Sequence, residues 1–329
     1  MARPRRKSVD LLAYLAIRLI VCLAQMMTVE QSYSFARWLA AALYRVDKRH
    51  RLVGIENLER AFGDAYTPAE RDQIVRAVYQ HFCTMLMEIL HMPRKLHPTT
   101  WRDRITLVGH EAVLDRLVSG GPMILLSGHF GNWEMAGYLF GVFGFPPNSV
   151  ARTLDNLYLD RFLRRFRERT GQRMIPKTGG YDDMLAVLRE GGILSFLADQ
   201  DAGPRGLFVD FFGQPASTHK AIALLAIEHQ APVVVGYARR IGPGFRYEVG
   251  CDAIIEPHEW TGGADDVRLL TQRYTSAIET VVRRSPDQYL WLHRRWKHQP
   301  KVKTRPGPSG QPDGAAASAG IKDDPRGLP

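Results

Sequence analysis

The chain has 329 residues, 45% of them hydrophobic, and a formal net charge of +10 from 44 Lys and Arg against 34 Asp and Glu. This is ample for one large α/β domain with an attachment element, and length alone calls for no second core. The positive charge suits nucleic acid, anionic membrane lipid or an acidic carrier protein; scattered basic residues with no zinc-finger, helix-turn-helix or aromatic RNA-binding signature exclude nucleic acid. Cys22, Cys83 and Cys251 lack CxxC spacing, which excludes a disulfide framework and a zinc site and fits a reduced, cytosol-facing location, each thiol an inert small hydrophobe.

At the amino terminus, Arg3, Arg5, Arg6 and Lys7 precede an apolar stretch from Leu11 to Val29 that Arg18 interrupts. It approaches the roughly 20 residues a bilayer span requires. No small-x-small cleavage pattern follows, and a second apolar stretch, Phe35 to Tyr44, comes next, so the segment is not a cleaved signal peptide. Asp10, Tyr14, Arg18 and Gln25 recur at helical spacings and leave a broad apolar surface beside a narrow polar stripe. Arg45, Lys48, Arg49 and Arg51 follow, so basic residues flank both sides and no clean crossing is indicated. The expectation is a helix attached to one face of the membrane, its basic neighbours on anionic headgroups; the alternative is an ordinary core helix.

Thr67, Pro68 and Glu70 predict the start of a helix that runs to Leu90. Short β-rich runs then alternate with amphipathic stretches. Strands are expected at Ile105–Val108, Met123–Ser127, Ser149–Arg152, Ile193–Ala198, Val233–Arg239 and Tyr247–Ala253. Helices are expected at Glu111–Ser119, Trp133–Phe143, Leu157–Thr170, Tyr181–Arg189, His219–His229 and Val267–Arg284. The alternation predicts an α/β fold, a mixed sheet flanked by helices, behind an N-terminal membrane-associated helix. Residues 1–50 are assigned to attachment, 51–300 to the α/β domain, and 301–329, rich in Pro, Gly, Ala and Ser, to a disordered tail.

Within this frame one stretch carries chemistry, SGHFGNWE from Ser127 to Glu134. Inside one helix His129 and Glu134 would diverge by about 140°. A turn between strand and helix removes that obstacle and lets Glu134 bend back to orient the imidazole, leaving the other ring nitrogen to accept a proton from an attacking hydroxyl. The site also falls at a strand's carboxyl end, where open α/β sheets bind ligands. The bland alternative is a turn histidine with a glutamate favouring a helix start. Ser127 lacks the GxSxG context of a hydrolase nucleophile. Asp199, Gln200 and Asp201 follow another strand and read more simply as turn chemistry than as a Mg²⁺ site. Arg164, Arg165, Arg167 and Arg169 crowd one helix and on composition alone form a solvated face. His219, His293 and Trp296 read as surface or packing residues, and the cluster Arg294 to Lys297 as a possible headgroup contact.

His129-x4-Glu134 within GHFGNWE resembles the signature of the glycerolipid acyltransferase superfamily, and more narrowly the late lipid A (lauroyl/myristoyl) acyltransferase family. The similarity extends through Ala151 to Asn156 and on to Arg169, through Ala198 to Pro204, Phe211 to Gly213, and Gln288 to Lys297, in order over most of residues 10 to 300. Glutamate at 134 departs from the aspartate of much of the wider superfamily. The resemblance implies a membrane-associated enzyme moving a fatty acyl chain from acyl carrier protein or acyl-CoA to a hydroxyl of a lipid A precursor or related glycolipid. It implies no cofactor beyond that cosubstrate, no metal, and a place on the bacterial cytoplasmic (inner) membrane with the catalytic domain facing the cytoplasm. His129 is then the general base and Glu134 the carboxylate holding its tautomer. Arg167 and Asp199 match site positions of the family, Asp199 positioning Arg167 or the acceptor. Arg152, Asp201 and Asn132 are further candidates for substrate binding or positioning. Oxyanion stabilisation is assigned to backbone N–H groups between Gly128 and Gly131 or to an arginine. Competing readings are a lysophospholipid or other glycolipid acyltransferase, a catalytically silent membrane interaction protein, and a metal-dependent hydrolase using His129, Glu134 and Asp199 as ligands.

Overall fold

The computed structural model describes residues 7–300; Arg3, Arg5, Arg6 and the 301–329 tail lie outside the described residues. The fold begins with four helices, α1 (Lys7–Met26), α2 (Val29–Val46), α3 (Lys48–Phe62) and α4 (Pro68–Lys95). Reciprocal capping boxes start α2 and α4: the Thr28 and Thr67 hydroxyls accept from the N–H three residues on, and Gln31 and Glu70 reach back to the cap N–H. Ala36, Ala40 and Tyr44 of α2 are buried in the core shared with α4, whose small side chains allow close approach.

Helix α1 is amphipathic in an inverted sense. Its polar stripe faces protein: Asn156 Nδ2 donates to the Asp10 carbonyl at 2.9 Å, Tyr14 lies 5.8 Å from the Tyr158 ring, and Arg18 stands 5.0 Å over Phe162. Arg94 donates to the carbonyl of Gln25 at 2.6 Å. The apolar side chains Leu12, Leu15, Leu19, Ile20, Leu23 and Met26 face outward, and only Val21 and Ala24 are buried. The described fold leaves this apolar face uncovered, whereas a water-soluble core helix buries its own.

The remaining elements are β1 (Ile105–Val108), α5 (Glu111–Ser119), β2 (Met123–Ser127), α6 (Trp133–Val142), β3 (Asn148–Ala151), α7 (Leu157–Glu168), β4 (Arg173–Pro176), α8 (Tyr181–Arg189), β5 (Ile193–Leu197), β6 (Leu207–Phe211), β7 (Gln214–Thr218), α9 (Ala221–Glu228), β8 (Val233–Arg240), β9 (Tyr247–Ile255) and α10 (Asp266–Arg284). Seven strands form one sheet in the order β1-β9-β8-β2-β5-β3-β4, parallel at every pairing except β8 with β9; β6 and β7 make a separate hairpin. The period of two is visible in β2: Ile124 and Leu126 enter the core with residues of α8, α9 and α10, while Met123 and Leu125 enter the one with Val113 of α5 and Phe140 of α6. Helices thus cover both faces of a mostly parallel mixed sheet, the α/β architecture expected from the alternation.

Candidate active site

Strand register builds the site. In the parallel pair β2 and β5, Ser127 lies opposite Leu197, and the Ala198 N–H donates to the Ser127 carbonyl at 2.9 Å. Two residues beyond each strand end stand His129 and Asp199, side by side at neighbouring carboxyl ends, where the chain is released from the ladder. Asp199 takes both donors that His129 offers: Nδ1 at 2.7 Å from Oδ1, and the backbone N–H at 2.8 Å from Oδ2. The carboxylate is buried and the imidazole is partly open. Burial works against a charged imidazole, but the charge and hydrogen bond of Asp199, together with the charge of Glu134, outweigh it and raise the His129 pKa above 6.5. Burial would likewise raise Asp199; the charge and hydrogen bonds of His129 and the neighbouring His293 hold it well below the usual carboxylate range.

The carboxylate hydrogen-bonded to the His129 ring is therefore Asp199 and not Glu134, the partner suggested by sequence proximity. Glu134 lies in the first turn of α6, beyond the Asn132 cap, and its carboxylate meets α7: Arg167 Nε donates to Oε2 at 2.9 Å and Nη2 to Oε1. The Trp133 indole N–H also donates to Oε1 at 3.2 Å, and its ring lies 5.1 Å from the His129 ring. Asp199, expected to position Arg167 or the acceptor, instead binds His129. A histidine–carboxylate pair, His129 with Asp199, and an ion pair, Arg167 with Glu134, thus stand next to each other, and Glu134 reaches His129 through its field.

The loop carrying His129 is clamped on both sides. Gly131 adopts φ +57°, and a Cβ there would fall 1.9 Å from the Ala238 carbonyl oxygen, so only glycine fits. The Gly131 N–H donates to Gln288 O at 2.9 Å, the Asn132 N–H to Ala238 O at 2.8 Å, and the Leu290 N–H to His129 O at 2.9 Å. A ring nitrogen of His81 lies 3.0 Å from Gly131 O. The N–H groups of His129, Gly131 and Asn132 are thus all engaged internally, which leaves those of Gly128 and Phe130, or an arginine, for the oxyanion role expected of this stretch. Beside the imidazole, the Gln200 amide nitrogen stands 3.4 Å from His129 Nε2. Sequence reasoning gave Gln200 no role of its own.

The other predicted residues separate. Asn132 is buried and caps α6, accepting from the Met135 N–H at 3.0 Å. Arg152 is exposed and pairs with Asp155 at 3.0 Å, while also lining a small polar hollow with Arg164 and Arg167. Asp201 holds His298 Nδ1 at 2.7 Å and the Gly203 N–H at 3.1 Å, which is turn chemistry. Among the described residues no three His, Cys, Asp or Glu side chains converge as metal ligands would. Arg295 and Trp296, read as part of a headgroup-touching cluster, are buried. Arg295 donates to Ser217 O at 2.6 Å and Thr218 Oγ1 at 2.7 Å and reaches Gln200 O at 3.4 Å, pinning the hairpin to the Gln200 loop. His293 braces the same region, with Nε2 3.3 Å from Asp199 O. Cys22, taken as an inert hydrophobe, is exposed on α1.

A cavity of about 180 Å³ is lined by Glu134 and Arg167 and by Ser127 and Trp133, which flank His129 in the chain; His129 and Asp199 are not part of its wall. Leu114, Leu117, Leu125, Phe140, Val234 and Cys251 contribute to its apolar wall, and Glu134 and Arg167 supply its carboxylate and its guanidinium. Such a slot suits a hydrocarbon chain whose polar end stays near the two charged groups.

The description of the family model that matches residues 3–298 is bacterial lipid A biosynthesis acyltransferase. The chain is 26% identical to a lipid A biosynthesis lauroyltransferase of Escherichia coli, over 82% of this chain and 86% of that protein. It is 25% identical to the Escherichia coli lipid A biosynthesis myristoyltransferase, over 75% of each chain, and 26% identical to a phosphatidylinositol mannoside acyltransferase of Mycobacterium tuberculosis, over 73% of this chain and 75% of that one. With a match spanning nearly all of the described residues, the chain belongs to the bacterial lipid A biosynthesis acyltransferase family and is an acyltransferase.

Proposed function

We propose that the protein moves a fatty acyl chain from a thioester of acyl carrier protein or coenzyme A to a hydroxyl of a lipid A precursor or related glycolipid, at the cytoplasmic face of a bacterial inner membrane. The observation that carries this reading is the His129–Asp199 pair, with Nε2 turned away from the carboxylate, next to Trp133 and Glu134, which line an apolar cavity. With its Nδ1–H donated to Asp199, the neutral ring presents the Nε2 lone pair as a general base. It takes the proton of the acceptor hydroxyl as that oxygen attacks the thioester carbonyl. The tetrahedral intermediate collapses with loss of the thiolate, which recovers the proton from the imidazolium. No covalent acyl-enzyme is required, and no Cys or Ser nucleophile. Asp199 stabilises the transient imidazolium, and Arg167, held by Glu134, offers positive charge at the polar end of the cavity.

With three loop N–H groups already engaged, the Gln200 amide supports a role as oxyanion donor. It occupies the space beside Nε2 that the hydroxyl must enter, so the incoming substrate displaces it toward the carbonyl under attack. Gln200→Ala should lower kcat by about 10²-fold with little change in KM, as the loss of one such donor does elsewhere. Steady-state kinetics at saturating donor measure this, and an unchanged kcat removes Gln200 from the mechanism.

The mannoside acyltransferase relative, as similar as the lauroyltransferase, keeps other glycolipid acceptors in view. The whole reading is tested by incubating the purified protein with labelled acyl thioesters, on carrier and on coenzyme A, with a panel of lipid acceptors and reading the products by mass spectrometry. Acylation of a glycolipid hydroxyl is the expected product. Acylation of lysophospholipid alone replaces the acceptor, and bare thioester hydrolysis with every acceptor rejects transfer.

A further inference from the structure

The arginines of α7 fall into two groups. Arg164 and Arg167 turn inward, each onto a carboxylate, Asp160 at 2.8 Å and Glu134. Arg161, Arg165 and Arg169 are exposed, and among the described residues none of the three makes an ion pair. At 100° per residue, Tyr158, Phe162, Arg165 and Arg169 share a sector of about 60°, Arg161 lies beside it, and Arg167 points the opposite way. Tyr158 and Phe162 are the residues on which the polar stripe of α1 rests. The unpaired arginines therefore continue the face on which α1 lies, and α1 turns its apolar side chains outward from there; Leu157, at the start of α7, is 60% exposed.

We propose that α7 is an anionic-lipid-binding helix. Arg161, Arg165 and Arg169 bind phosphates of the leaflet in which the outer face of α1 is immersed, and α1 lies in the plane of that leaflet without crossing it. Two arguments exclude a crossing. Packing of α1 on α7 from Asp10 to Arg18 would carry an arginine-rich helix into hydrocarbon, where each central arginine costs roughly 2.5–3.5 kcal/mol or more. And the contacts that hold α1 to protein, Asn156 on the Asp10 carbonyl and Arg18 over Phe162, exist only if α1 stays beside α7. In-plane, the same contacts place apolar side chains in the acyl boundary and guanidinium groups at the headgroups. Because Arg167 projects from the far side of α7, the candidate site then stands about one helix diameter, roughly 10 Å, from the headgroup layer.

The membrane contact rests on the membrane-associated reading above but not on the acyl-transfer chemistry, and vesicle binding tests it without turnover. The full chain is added to vesicles of phosphatidylcholine alone and of phosphatidylcholine with phosphatidylglycerol, at low and high salt. Wild type should prefer the anionic vesicles, with the preference weakening in salt. The triple variant Arg161→Gln, Arg165→Gln, Arg169→Gln should lose roughly 10²-fold of that preference, about fivefold per basic side chain. Binding to neutral vesicles, carried by α1, and the thermal midpoint should not change. The triple Arg→Lys variant should bind anionic vesicles as wild type does, because the interaction needs charge and not guanidinium geometry. Equal binding of the glutamine variant and wild type overturns the proposal. A glutamine variant that keeps its vesicle binding but loses affinity for a carrier-bound donor in detergent also overturns it, and reassigns the stripe to an acidic protein. Labelling of Cys22 by an impermeant thiol reagent from the periplasmic side of intact cells overturns the in-plane placement.

Discussion

Asp199→Asn should lower kcat about 10⁴-fold while leaving the thermal midpoint nearly unchanged, and His129→Ala should cost at least the ~10²–10⁴-fold of general-base catalysis. Asparagine keeps the size of the side chain and one carbonyl oxygen. It removes the charge that stabilises the imidazolium, and its amide can force the ring into the tautomer whose Nε2 carries the proton. The base is then unusable although it remains in place. A pH profile of kcat/KM separates this from a merely structural defect. In wild type the active form of His129 is neutral, so activity rises with pH through a pKa lying above the ordinary 6.5. Loss of Asp199 removes the charge and the hydrogen bond that chiefly raise this pKa and leaves burial, which lowers it, opposed only by the weaker influence of Glu134. The acidic limb of the residual activity should therefore move to lower pH. A profile with an unmoved limb, or turnover within tenfold of wild type, rejects Asp199 as the partner of the base.

Glu88→Ala should be the most damaging single change to stability, at about 3–5 kcal/mol. Glu88 is 1% exposed in the middle of α4 and is met by four donors: two from the Arg240 guanidinium at the end of β8, one from the Tyr33 hydroxyl of α2 and one from the Tyr247 hydroxyl of β9. Its removal leaves a buried guanidinium without its counter-charge and two buried hydroxyls without an acceptor. The damage reaches the site by a short route. Gln288 accepts from the Arg240 N–H at 2.8 Å and donates to Arg240 O at 3.0 Å, and its own carbonyl holds the Gly131 N–H. Urea unfolding should show a lower midpoint with an unchanged slope, and turnover should fall even at temperatures where the variant is folded. Glu88→Gln, which keeps one acceptor oxygen but puts an amide donor in place of the other and loses the charge, should fall between wild type and Glu88→Ala.

What could be read in the sequence follows from which forces act locally. The α4 start was legible because a capping box is written within four residues. The strand and helix alternation from β1 to α6 was legible because burial imposes periods of 2 and 3.6 on adjacent residues. Helix α3 was missed because Asp47 both ends α2 and caps α3, so no loop composition marks the break. Strand β4 begins with an exposed arginine and ends in a proline, a composition that does not mark a strand. The β6–β7 hairpin turns on Phe212 and Gly213 at φ +58° and +71°, the primed-turn region, with phenylalanine where asparagine is the usual signal.

The site was legible in the same uneven way. His129 and Glu134 are conspicuous because they are close in sequence, and that closeness suggested the wrong pairing. Asp199 is 70 residues from His129, and only the register of two strands brings it to the ring. Arg295 illustrates the opposite error. A run of basic residues reads as solvated, yet this guanidinium is buried because backbone carbonyls and a threonine hydroxyl supply its acceptors.

The clamp on the His129 loop has a temporal meaning. Gln288 and Leu290, with His293 and Arg295 behind them, come from the last residues of the described fold, whereas α1 comes from its first. A ribosome delivers these in that order. The nascent chain therefore exposes its apolar helix while the base is still unsupported, and a chain that stops before residue 288 carries His129 and Asp199 without the segment that fixes their geometry. Catalytic competence is the final property acquired in synthesis, and the surface read here as lipid-seeking is available well before there is an enzyme to use it.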